Sequence, residues 1–177
     1  NYYQAIDSMQ ARLVAEQGYA GISTNWVTIQ RQPQGGIYQG GIQGTGGWYV
    51  LQVRGYYNGA IVTENSVRRI GVGEVFIITG QSNAQGILNG DPEQDGKDFA
   101  YVGAQDDRVN AVNFDNTNTN SLEGPTSPQY QQLSASVIIG PRGRSAWCWG
   151  VLGDLIAQQY QVPVLFINTA WGATTSF

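Results

Sequence analysis

Apolar and polar residues along this chain fall into short stretches whose period changes near Gly73. Before it, Asn25-Trp26-Val27-Thr28-Ile29-Gln30 alternates with a period of two, the mark of a half-buried strand. Gly47 to Arg54 predicts the strongest strand of this part. Ala11 to Glu16 predicts a first strand or the end of a short opening helix. Ala60–Thr63 and Ser66–Val72 predict two more strands. Tyr57-Asn58-Gly59-Ala60, just before them, carries Asn-Gly, the pair favoured in two-residue hairpin turns. Gln34 to Gly47 holds seven glycines and reads as a connection too flexible for regular packing. Short strands separated by turn signals predict a small β-sandwich module over residues 1–73.

From Glu74 onward the pattern is of another kind. Val75–Thr79 is a short apolar run rich in β-branched and aromatic residues, which predicts a strand buried on both faces. Pro163–Asn168 predicts a second such strand. Between them Ser145–Tyr160 predicts a helix, with Ser145 as N-cap and Trp149, Leu152, Ile156 and Tyr160 on one apolar face. Strand, long excursion, helix and strand together predict a parallel pair joined by a crossover. Trp147, Cys148 and Trp149 near the helix start form a trio that could offer aromatic faces to a sugar ring, but core packing is the favoured reading, with Cys148 an inert buried thiol. Arg108–Phe114 alternates and predicts an edge strand. Asp91, Glu93, Asp95 and Gly96 are spaced somewhat like a calcium loop. The twelfth position, where such a loop needs Glu, is Val102, so a solvated acidic loop is the favoured reading. Asp115–Asn120 reads as a polar loop.

The chemistry concentrates after the first buried strand. Gly80 ends the run, and Ser82 follows at the carboxyl end of the strand. A sharp turn there exposes a hydroxyl and gathers backbone N–H groups where an oxyanion would form. Gly73-Glu74-Val75-Phe76 and Gly80-Gln81-Ser82-Asn83 together resemble the nucleophile block of the sialate O-acetylesterase-like carbohydrate esterases of the SGNH hydrolase superfamily. Asn168-Thr169-Ala170-Trp171-Gly172-Ala173-Thr174 resembles that superfamily's second block, with Ala173 in place of a second Gly. The resemblance implies that residues 74–177 form the first part of an α/β/α, flavodoxin-like parallel-sheet domain. It implies a serine ester hydrolase removing acetyl groups from sugars, with Ser82 as nucleophile. The backbone N–H groups of Ser82, Gly172 and Ala173 would be the oxyanion donors, and Gln81 and Asn83 would orient the turn or the oxyanion. Trp171 would stand at the rim to contact a sugar. No metal and no organic cofactor is required. The third block and the final Asp-x-x-His would lie beyond Phe177, so the chain reads as the N-terminal part of a longer polypeptide whose remainder is a partner.

Composition adds limits. The 177 residues suggest about one domain by length, and 41% are hydrophobic, with no apolar run of membrane-spanning length. Charged residues make up 12% and there is one Lys, a neutral, polar composition that suits a secreted, periplasmic or cell-surface protein handling acetylated sugar or polysaccharide. A net charge of −4 argues against a nucleic-acid partner. A single Cys excludes an intrachain disulfide and a zinc pattern. The chain has no His, so it cannot hold a complete Ser-His-Asp triad and by itself should be nearly inactive. The competing reading is a non-catalytic carbohydrate-binding or surface-adhesion module in which the Ser turn is idle.

Overall fold

The Asn58-Gly59 pair forms the turn its residues favour: both have positive φ, 49° and 79°, as a type I′ hairpin turn requires. In the computed structural model, which describes residues 5–86, 102–113 and 128–173, the chain divides into two compact units, Asn1–Val72 and Gly73–Phe177. Among the described residues strands dominate and helices are few.

The first unit is one antiparallel sheet of four strands: β1 (Ser8–Ala15), β2 (Val27–Arg31), β3 (Gly47–Tyr57) and β4 (Ala60–Val72), in the order β2-β1-β3-β4. The two strands predicted after the hairpin are a single strand. Tyr49 pairs with Ile70 and Leu51 with Val67, so an extra residue bulges out of β4, and Arg69 takes φ 57° there. Met9, Ala11 and Leu13 alternate along β1 onto the buried face, where Tyr49 joins them. A second sheet to complete a sandwich is not found among the described residues. The glycine-rich segment lies against the sheet instead. A Cβ at Gly44 would come within 2.6 Å of Leu13 Cδ1, and one at Gly40 within 2.5 Å of the Ile29 carbonyl oxygen. The glycines thus permit close packing rather than prevent it. Tyr49, fully buried, donates its hydroxyl proton to the Thr45 carbonyl at 2.7 Å and accepts from the Ile22 N–H at 3.1 Å.

The second unit is a mixed sheet of β5 (Glu74–Ile78), β6 (Val109–Asn113), β7 (Gln129–Gln132) and β8 (Val164–Asn168), in the order β5-β8-β6-β7. β8 pairs in parallel with β5 and with β6, while β7 is antiparallel to β6. β6 therefore lies inside the sheet, not at its edge. Two helices accompany it, α1 (Ser82–Gln85) and α2 (Trp149–Tyr160).

α2 begins four residues later than its pattern predicts. Trp147 turns to φ 43°, and the Trp149 N–H reaches the Ala146 carbonyl at 3.1 Å. Ser145 is fully buried and accepts the Trp147 N–H on its hydroxyl. The buried face also differs from the expected one: Gly150, Gly153 and Ala157 lie inside, while Leu152 and Tyr160 are exposed. Close approach to the sheet selects the small residues. At Gly153 a Cβ would stand 2.4 Å from Val109 Cγ1 and 3.0 Å from the Phe166 ring. Trp149 and Ile156 pack at the margin of a core built on Val109, Ala111, Leu133, Ile139, Val164 and Phe166. Cys148 is exposed rather than part of the core, though the burial it has pushes its thiol pKa up.

β5 differs most from expectation. Phe76 stacks on Phe166 at 5.5 Å, but Val75 is 60% and Ile77 64% exposed. Among the described residues α2 covers one face of this sheet, and the second helical layer of an α/β/α arrangement is not found. No helix among them is long and apolar enough to cross a membrane. The acidic stretch at Asp91–Asp98 and the polar stretch at Asp115–Asn120 lie outside the described residues.

Candidate functional site

The carboxyl ends of β5 and β8 run side by side because the two strands pair in parallel from Glu74↔Val164 to Ile78↔Asn168. The pairing continues into the loops. Thr169 donates its N–H and its hydroxyl to the Ile78 carbonyl, and the Trp171 N–H donates to the Gly80 carbonyl at 2.9 Å. Gly80 takes φ 139°, a region closed to most side chains, and this turns the chain into α1. Ser82 is the first helical residue and is exposed. At that position its N–H has no carbonyl within the helix to bond.

Ser82, Asn83, Trp171, Gly172 and Ala173 line one cleft of about 430 Å³, in which Gln85, Gly86, Arg142, Arg144 and Trp147 complete the wall. Gln81 is not on that wall. It stands at the N-cap of α1, where its carbonyl accepts the N–H groups of Ala84 and Gln85.

Two buried amides hold the cleft together. Asn168, fully buried, donates to the Ala84 carbonyl at 2.8 Å and accepts the Ala170 N–H at 2.9 Å. It thereby locks the end of β8 to α1. Gln85, 6% exposed, donates Nε2 to the Arg142 carbonyl and accepts the Gly172 N–H on Oε1, both at 2.9 Å. Its own carbonyl accepts the Arg144 N–H. One side chain thus ties the helix to both loops that face it. Gly172, expected as an oxyanion donor, already spends its N–H on Gln85.

Two residues of the wall sit in the left-handed region without being glycine, Trp147 at φ 43° and Ala173 at φ 61°. Each costs about 1–2 kcal/mol relative to an ordinary backbone conformation. Ala173 therefore occupies a conformation natural to the Gly that the resemblance places there. The Arg142 guanidinium lies 3.9 Å from the Trp171 ring centroid, an interaction worth about 0.5–1 kcal/mol where exposed. It steadies both side chains at the rim.

Among the described residues no side chain bonds the Ser82 hydroxyl, and none of the lining residues is an imidazole or a carboxylate. No group of three or more metal-ligating side chains occurs among the described residues.

No protein-family profile matches this chain, and no curated protein matches it. Among solved structures, a carbohydrate acetylesterase from Xanthomonas citri matches with a TM-score of 0.41 and 19% sequence identity. The match covers 98% of this chain, which spans 36% of the length of that structure.

Sequence reasoning found Ser82, Asn83, Trp171, Gly172 and Ala173, because they follow strands with a clear apolar signal. It missed Gln85, Arg142 and Arg144, and it read Trp147 as core packing rather than as a platform for a sugar. The last three come from an irregular segment ahead of α2 whose position depends on tertiary hydrogen bonds. Gln85 could have been suspected: it is a polar residue three places after Ser82, on the inner side of a helix that must pack on the sheet.

Proposed function

We propose that this chain carries the nucleophile part of a carbohydrate O-acetylesterase of the SGNH type. The observation that carries this reading is the meeting of an exposed Ser82 with Trp171, Gly172 and Ala173 in one cleft at the carboxyl ends of two parallel strands. Ligands of open α/β sheets bind at such an edge.

In this reaction the Ser82 oxygen attacks the acetyl carbonyl of an acetylated sugar, and its proton passes to a base. The sugar hydroxyl leaves with a proton, and water then cleaves the acetyl-serine to acetate. The N–H groups of Ser82 and Ala173 donate to the oxyanion. Gly172 joins them only if Gln85 releases its N–H. Trp147 and Trp171 offer aromatic faces to the sugar ring, while Arg142, Arg144 and Asn83 offer donors to its hydroxyls. The given sequence has no His, so the imidazole that usually serves as this base is not among its residues. The setting of such a protein would be secreted, periplasmic or on the cell surface.

One observation favours a second reading, a non-catalytic carbohydrate-binding module: among the described residues no side chain of the cleft activates Ser82. The two are separated by assaying the chain on a chromogenic acetyl ester. Loss of general-base assistance predicts rates about 10²–10⁴ below those of a complete esterase. Turnover at full enzymic rates that vanishes in Ser82→Ala would show a base within this chain and refute that part of the proposal.

A further inference from the structure

The open face of the first sheet carries a second, unassigned cluster. Register places Gln10 opposite Arg54 and Arg12 opposite Gln52 across β1 and β3, so the two arginines lie diagonally on one face. Diagonal neighbours of this kind are about 7–8 Å apart. Each guanidinium is fixed by its partner amide: Arg54 donates Nε and Nη2 to Gln10 Oε1 at 3.0 and 2.8 Å, and Arg12 donates Nε to Gln52 Oε1 at 2.6 Å. Both lie over the Trp26 ring, Arg54 at 3.9 Å and Arg12 at 4.7 Å from its centroid, and Arg54 lies 5.2 Å from that of Tyr56.

This cluster holds two ordered cations, and among the described residues neither makes an ion pair. Elsewhere, Arg68 and Arg69 pair with Glu16, and Arg108 with Asp106. Glu64 stands directly opposite Arg54 on β4, yet makes no ion pair with it. In a chain of net charge −4, two like charges held together by amides and rings are arranged for an incoming anion. Among the described residues their outer N–H edges take no partner, and a guanidinium fork matches the two oxygens of a carboxylate.

We propose that this face binds a carboxylate-bearing saccharide chain, with the acid group on Arg12 and Arg54 and the sugar along Trp26 and Tyr56. The requirement for an anion rests on the arginines alone. The choice of a saccharide rests on the esterase reading of the other unit.

The test uses the whole chain and a binding readout, which the Ser82 assays do not touch. Titrate it with oligogalacturonate, with a sulfated dextran oligosaccharide and with a neutral xylo-oligosaccharide. The expected result is binding of oligogalacturonate that weakens with salt and falls at least tenfold in Arg12→Gln/Arg54→Gln. The neutral chain should not bind at this face. Tighter binding of the sulfated chain would overturn the carboxylate assignment. Equal binding of neutral and acidic chains, or no binding of any, would overturn the proposal as a whole. Should the double variant unfold, phenylglyoxal modification of the wild-type chain decides: oligogalacturonate should protect Arg12 and Arg54, and unprotected arginines refute the site.

Discussion

Replacing Gln85 with Leu tests whether one side chain holds the cleft in shape. Leu fills nearly the same volume but can neither accept from Gly172 nor donate to Arg142, so both 2.9 Å bonds are lost. A buried backbone group left without a partner costs about 1–3 kcal/mol. Both groups are only partly buried, which places each near the lower end, and the apolar Leu recovers part of the loss. The net destabilisation should be about 1–2 kcal/mol, or about five- to thirtyfold in the opening equilibrium of the loop. Hydrogen exchange of the Gly172 amide should accelerate by that order, and the urea midpoint of the second unit should fall. Gln85→Glu separates the two bonds. Its carboxylate still accepts from Gly172 but faces the Arg142 carbonyl without a proton to give, so stability should drop while the Gly172 amide stays protected. Unchanged Gly172 exchange in Gln85→Leu would refute the reasoning.

Other substitutions probe the strain and packing around the site. Ala173→Gly should stabilise the second unit by about 0.5–1 kcal/mol in urea denaturation, because φ 61° suits Gly, less the entropy that Gly adds to the unfolded chain. Gly153→Ala should destabilise by about 1–3 kcal/mol despite the better helix propensity of Ala, since its Cβ would meet Val109 Cγ1 at 2.4 Å. Asp106 has its pKa lowered, first by the side-chain hydrogen bond from Arg108. A carboxylate with a depressed folded pKa contributes stability that is present above its unfolded pKa of about 4 and lost as pH falls through the folded value. The urea midpoint of Asp106→Asn should therefore lie below wild type at neutral pH and converge with it in acid.

What the sequence disclosed follows the strength of its local signals. The Asn58-Gly59 turn and β8 were legible because turn chemistry and an apolar run act within a few residues. The inner face of α2 was not, because Gly150 and Gly153 carry no apolar signal and matter only when a sheet approaches closely. β7 was missed for a similar reason: Gln129–Gln132 is polar and exposed along its length, and only its pairing with β6 makes it a strand. The exposure of Val75 and Ile77 was hidden too, since a hydrophobic run records what a strand can bury rather than what covers it. Of the cleft, the residues after β5 and β8 could be read, whereas the Arg142–Trp147 wall depends on bonds to Gln85 and Asn168 from distant positions.

The central claim is that Ser82 is the acyl acceptor, and it can be tested with an external base. Supply imidazole to the purified chain as an external base together with p-nitrophenyl acetate, and locate the acetyl group by peptide mass spectrometry. The account predicts an imidazole-dependent adduct that is concentrated on Ser82, persists once the reagent and imidazole are removed, and is absent in Ser82→Ala. An adduct spread evenly over exposed hydroxyls, or none on Ser82 at any imidazole concentration, would contradict it.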